Sequence, residues 1–185
     1  MKRLIILSFL MGFIVTAGKA QMLTVKTNVA LDAIKAPNLG LEMTTGNHTA
    51  LSLSVFYANH PLIANQSRVS AIQPEWKYYF SGRALHSHYI GIGAIGADYK
   101  IHWKNKNYDG NAVGLGLTFG YVWNISKRWN IDFHAGLGAI TYKQKEYYDG
   151  DNYEDYAIDG KELANSKGYY LLPTDFGISL AYIIR

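Results

Sequence analysis

Beyond residue 21 the chain alternates apolar and polar residues with a period of two over most of its length. Val25, Thr27, Val29 and Leu31 alternate with Lys26, Asn28, Ala30 and Asp32; Leu39, Leu41 and Met43 with Asn38, Gly40, Glu42 and Thr44. Leu51, Leu53, Val55 and Tyr57 alternate with Ser52, Ser54 and Phe56. Ile72, Trp76, Tyr78 and Phe80 alternate with Gln73, Glu75, Lys77 and Tyr79, with Pro74 interrupting near the start. His88 to Trp103 is long, Gly-rich and ambiguous in phase. Val113 to Trp123 alternates with Ala112, Gly114, Gly116, Thr118 and Gly120. Trp129 to Leu137 alternates with Asn130, Asp132, His134, Gly136 and Gly138, and Phe176 to Ile184 with Asp175, Gly177, Ser179 and Ala181. Period-two alternation marks a strand with one apolar face, so the pattern predicts eight strands.

The two faces differ in kind. One is Leu, Val, Phe and Trp; the other is Gly, small polar or charged. An eight-stranded barrel has an interior filled by side chains, so the small face suits an inner wall and the apolar face suits lipid. The expected fold is an all-β, eight-stranded antiparallel up-and-down transmembrane β-barrel. Connections at Gly46 to His48, Ser81 to His86 and Ser126 to Arg128 are short. They alternate with longer ones at Ala58 to Ser70, Lys104 to Asn111 and Tyr148 to Lys167; Ile34 to Pro37 is short and breaks the rhythm. Aromatics gather near the short turns (Trp76, Tyr78, Phe80, Tyr121, Trp123, Trp129) and toward the long loops (Tyr57, Tyr99, Trp103, Tyr142, Tyr147, Tyr169, Tyr170). Two such bands are expected of interfacial girdles.

The first residues change the reading of the charge. Met1-Lys2-Arg3, the apolar run Leu4 to Val15, and small residues Gly18 and Ala20 before Gln21 fit a secretory signal peptide. The expected division is 1–20 signal peptide and 21–185 outer-membrane barrel. The full chain carries 18 Lys+Arg against 14 Asp+Glu; without Lys2, Arg3 and Lys19 the balance is 15 against 14. The basic surplus belongs largely to the leader and gives no case for nucleic acid. There is no cysteine, hence no lipid attachment at a cysteine, no disulfide and no thiol chemistry.

The last strand contains Asp175-x-Gly177-x-x-Leu180-x-Tyr182, which resembles the C-terminal signal read by the barrel assembly machinery, although the chain runs on to Arg185. Four further segments are similar to an uncharacterised Bacteroidales family, the domain-of-unknown-function family numbered thirty-five seventy-five. They are Val25-Lys26-Thr27-Asn28, Ala36-Pro37-Asn38-Leu39-Gly40-Leu41-Glu42, Gln73-Pro74-Glu75-Trp76-Lys77-Tyr78 and Lys127-Arg128-Trp129-Asn130. The resemblance implies a small outer-membrane barrel of the OmpA/OmpX type, with a link to surface fimbriae, and implies no catalytic residue.

Candidate chemistry is sparse. Lys26, Glu42, Glu75, Lys77, Asp132, His134 and Asp175 fall on the inward phase. Single buried charges are costly, so a lumen charge network is expected, with Glu42, Glu75 and Lys77 as leading partners. The stretch Asp149-Gly150-Asp151-Asn152-Tyr153-Glu154-Asp155, with Tyr156 and Asp159 beyond it, departs from a calcium loop at Tyr153 and reads as a solvated interaction loop. His86-Ser87-His88 has no legible acidic partner. No catalytic, cofactor or metal site is expected. The partners expected are outer-membrane lipid, the assembly machinery and a surface protein. The leading function is a non-enzymatic structural or surface-interaction role through the outer loops. A barrel enzyme acting on lipid or peptide and a periplasmic lipocalin-like carrier stay open.

Overall fold

The computed structural model describes residues 22–61, 67–151, 164 and 166–184. The expected signal peptide lies outside them. So do Tyr153, Glu154, Asp155, Tyr156 and Asp159 of the expected interaction loop. The described chain forms eight strands: β1 (Leu23–Asn28), β2 (Asn38–Thr44), β3 (Thr49–Asn59), β4 (Arg68–Tyr79), β5 (Ser87–Trp103), β6 (Lys106–Asn124), β7 (Trp129–Tyr148) and β8 (Ser166–Ile183). Each pairs antiparallel with its sequence neighbour, and β1 pairs with β8, closing an up-and-down barrel. Where β1 meets β8, from Thr24↔Ile183 to Asn28↔Ser179, closure removes the open sheet edges.

The sides of the wall follow the alternation. On β6, Val113, Leu115, Leu117 and Phe119 point outward, with Leu115 67% exposed, while Gly114, Gly116, Thr118 and Gly120 point in. Inward glycines make room for large side chains on neighbouring strands. A Cβ at Gly120 would run into the Tyr89 ring, one at Gly40 would lie 2.6 Å from Lys26 Cγ, and one at Gly91 would meet the Glu75 carboxylate. Lys26, Glu75 and Tyr89 are thus accommodated by glycines on adjoining strands.

Three expectations are corrected. The strand read through Asp32 stops at Asn28, where the side chain accepts from the amides of Ala30 and Leu31 and caps a one-turn helix, α1 (Val29–Ala33). A local Asn cap outcompetes continued pairing there. The long connection expected from Lys104 to Asn111 is a two-residue turn: Lys104 and Asn105 both have positive φ (47° and 60°), as a hairpin turn of right-handed twist requires. Pairing then runs on to Trp103↔Lys106 and Lys106↔Tyr148.

The third correction concerns the upper aromatic band. By unbroken alternation, Tyr99, Trp103 and Tyr142 face the inside; Tyr170 joins them because β8 bulges at Thr174 and shifts its phase. Tyr57 and Tyr169 face outward. In this outer part of β5 to β7 the charged Asp98, Lys100, Asp109 and Lys143 occupy outward positions, and the inward ones include Tyr99, Trp103, Tyr108 and Tyr142 together with the Lys106–Glu146 ion pair.

Candidate functional site

The interior of the barrel is layered. At the short-turn end, Ala50, Tyr79, Ala84, Leu85, Tyr89 and Val122 form an apolar plug, against which Met22 and Ile183 pack. Ala84 and Leu85 come from the β4–β5 connection, which folds inward rather than away. The Tyr79 and Tyr89 rings lie 5.1 Å apart.

Above the plug sits a charge cluster. Lys77 Nζ on β4 is 3.0 Å from Glu42 Oε2, 3.3 Å from Asp132 Oδ2 and 3.6 Å from Glu75 Oε2. Lys26 Nζ on β1 reaches the same two oxygens of Glu42 and Asp132 at 3.0 and 3.6 Å. Two cations and two carboxylates from four strands thus neutralise one another, with Lys77 only 1% exposed. Burial of such charges is tolerable only with full pairing and further hydrogen bonds. Two tyrosines supply these: Tyr79 donates to Glu42 Oε1 at 2.5 Å and Tyr89 to Asp132 Oδ1 at 2.9 Å. Lys77 also lies over the Tyr89 ring, 4.2 Å from its centroid.

His134 and Asp175 sit one level further out. His134 Nε2 is 3.4 Å from Asp175 Oδ1, and its Nδ1 is 3.8 Å from Asp132 Oδ1. With Glu75, Gln73, Thr118 and Thr174 they form part of the polar lining of a small cavity of about 60 Å³, which apolar side chains line as well. Glu75 Oε1 and His134 Nδ1 have no hydrogen-bond partner among the described residues. The cavity exceeds the ~10–15 Å³ that one water requires, so solvent can satisfy both atoms.

All seven inward residues singled out from the alternation point into the barrel, but they do not form one unit. Lys26, Glu42, Lys77 and Asp132 make the cluster; Glu75 joins at its margin; His134 and Asp175 form a separate pair. Tyr79 and Tyr89 complete the cluster and were not singled out. Tyr79 was readable from its phase beside Lys77, whereas Tyr89 lies on the Gly-rich strand whose phase was ambiguous. His86 and His88 do not converge: His86 hydrogen-bonds the Asn124 side chain, and His88 stacks outward on Tyr121 and Phe119. Asp149 accepts from Asn107 and lies 3.4 Å from His102, and Asp151 lies at the end of the described part of its loop. No group of three or more metal-ligating side chains occurs among the described residues.

Fold and interior together define a class: a small closed antiparallel barrel with an apolar outer wall and a plugged, ion-paired inside. The chain belongs to the family described as protein of unknown function (DUF3575), whose model matches residues 4–184. No match was found among curated proteins or among solved structures.

Proposed function

We propose that this protein is an exported outer-membrane barrel with a non-enzymatic, structural or surface-interaction role, exercised by the parts that project beyond its apolar wall. The observation that carries this reading is the inverted sidedness. Leu115, Leu117 and Phe119 are exposed on the outer wall while Lys77, Glu42 and Asp132 are buried inside. A carrier working in water would bury the former and expose the latter. In a bilayer a closed barrel satisfies its backbone, and an apolar outer wall matches the hydrocarbon. Tyr78, Phe80, Trp123 and Trp129 then form the girdle at the short-turn end. In this reading β8, with Gly177, Leu180 and Tyr182, engages the assembly machinery.

The enzyme alternative has one observation in its favour, the His134–Asp175 pair on a cavity. That cavity holds about 60 Å³, whereas sites for small organic ligands span roughly 300–1,000 Å³. A cavity of that size supports a buried structural pair better than a substrate site.

Fractionation of the cell envelope with mass spectrometry tests the proposal. The protein should sediment with outer membranes, require detergent for release, and begin at Gln21. Recovery in the soluble periplasmic fraction would overturn it.

A further inference from the structure

The short-turn end of the barrel carries charge of one sign. The β2–β3, β4–β5 and β6–β7 connections hold Arg83, Lys127 and Arg128 and no carboxylate. Two of these cations border one recess. Arg83 and Lys127, with His86, Asn124 and Ser126, form the polar side of a hollow of about 580 Å³. Its apolar side includes Leu85, a member of the plug, and Met22 and Ile183, which pack on the plug. The hollow therefore lies beneath the plug, toward the barrel axis and away from the lipid-facing wall. A second hollow of about 280 Å³ shares Met22, Arg83 and Ala84 with it, so the space extends beyond a single small ion.

The polar groups of the recess have fixed hydrogen-bonding roles. Asn124 Nδ2 donates to Leu85 O at 3.1 Å and to Asn130 Oδ1 at 2.7 Å, which uses both of its N–H groups. Asn124 Oδ1 is left as an acceptor, so His86 Nδ1 carries the hydrogen that it accepts. In the neutral ring this assigns the lone pair to His86 Nε2. Ser126 Oγ accepts from the amides of Arg128 and Trp129, which leaves its own hydrogen for a ligand. The loop is held in this form against strain: Leu85 and Ser87, on either side of His86, have φ of 61° and 62°. Non-glycine residues in that region persist only where the surroundings impose it, and they concentrate at functional sites. Here the buried Leu85 side chain and Ser81 impose it, Ser81 Oγ lying 3.0 Å from Arg83 O and 2.7 Å from His86 O.

The recess thus presents two cations, a hydroxyl donor and one acceptor, His86 Nε2. Among the described residues, no ion pair engages the Arg83 guanidinium or the Lys127 ammonium. A carboxylate or a sulfate would satisfy the cations but set an oxygen lone pair against that of His86. A phosphate monoester satisfies both, because its second ionisation falls at about pH 6 and a P–OH hydrogen is available to the imidazole. Its charged oxygens would meet Arg83, Lys127 and Ser126, and the flat guanidinium suits two phosphate oxygens at once.

We infer that this recess binds a phosphate monoester from the aqueous side of the short-turn end, with His86 selecting the protonated oxygen. The site does not depend on whether the outer wall meets lipid.

The test is isothermal titration calorimetry of the whole protein in dodecyl maltoside, at neutral pH and constant ionic strength. Glycerol 3-phosphate should bind saturably and about tenfold more tightly than sulfate, the difference being one hydrogen bond to a charged group. Arg83→Gln and Lys127→Gln should each weaken both ligands about tenfold. Arg128→Gln removes the same charge from the same end, but Arg128 bonds Tyr182 outside the recess, so binding should not change. His86→Phe should bring glycerol 3-phosphate down to the affinity of sulfate. If that variant fails to fold, the comparison of phosphate with sulfate on the unaltered protein carries the same test. Phosphatidic acid, the same monoester on a lipid, should not displace glycerol 3-phosphate when mixed into the micelle; displacement would move the site to the outer wall and overturn the inference. Absence of saturation, equal affinity for sulfate, or equal losses from Arg83→Gln and Arg128→Gln would overturn it as well, the last by showing that general attraction to a basic surface draws the anion.

Discussion

Each member of the charge cluster is supported by at least two others, which makes single substitutions more informative than the charges suggest. Lys77→Met keeps the length of the side chain but leaves Glu42 and Asp132 sharing Lys26 alone. Breaking one partner of a buried ion pair strands an uncompensated charge, so the loss should be about 3–5 kcal/mol. Urea unfolding of the protein in detergent, followed by tryptophan fluorescence, measures it; a loss indistinguishable from zero would mean that water, not the lysine, solvates the carboxylates. The inward glycines can be tested at the same scale. At Gly120 an added methyl meets the Tyr89 ring, which is held between Lys77 and Asp132 and cannot swing aside freely. Overpacking of this kind typically costs about 1–3 kcal/mol, and Gly120→Ala should show it in the same unfolding experiment. Gly150, with nothing within 4 Å of its Cβ position, is the control for volume, although its positive φ adds a strain of its own.

The strands were legible in the sequence because lipid-like and lumen-like faces differ so sharply in residue type. Val113 to Trp123 against its glycines needs no structure to be read. Legibility failed in two ways, each with a physical cause. At Asn28 a side-chain cap ended β1, and a period of two continuing through Val29 and Leu31 concealed it. Beyond Val113 on β6 and Thr141 on β7 the two faces exchange character, so a rule that reads apolar as outward turns Tyr99, Tyr142 and Tyr170 the wrong way. Pairing continues across that change, which is why the expected loop residues Lys106 to Asn111, and Ser166 and Lys167, are strand. The cluster was legible only as a set of inward charges; Tyr89 could not be assigned because its strand, rich in Gly, Ile and Ala, gave no phase. One prediction belongs to these elements. β7 and β8 pair as far as Gln144↔Ser166, so the strands do not depend on the residues joining them. Replacing 150–164 with a short Gly-Ser turn should leave heat-modifiable mobility on gels unchanged. The same change should abolish complementation of a gene deletion if the acidic stretch carries the interaction. Full complementation by that variant would move the functional site to the lumen or the wall.

At the scale of the molecule the interior is closed twice, in series, by different physics. The charge cluster fills the middle with paired ions, and the Tyr79–Tyr89–Leu85 layer closes the short-turn end with apolar contacts. A conducting pore would have to breach both. Ions do not cross an apolar layer packed at the density of a protein interior, and eight strands leave little width once side chains occupy it. Planar-bilayer recordings should therefore show no large, steady conductance from the intact protein. Lys77→Met should not create one either, because it weakens the middle layer and leaves the apolar layer in place. Tyr79→Ala together with Tyr89→Ala removes both rings from the lower layer and the hydroxyls that hold Glu42 and Asp132. Only this pair of changes attacks both closures, and it should give flickering, cation-preferring openings as the freed carboxylates face the lumen. A steady open channel in the unmodified protein would show that the layers separate in a bilayer, and the plugged-scaffold reading would then give way to a porin-like one.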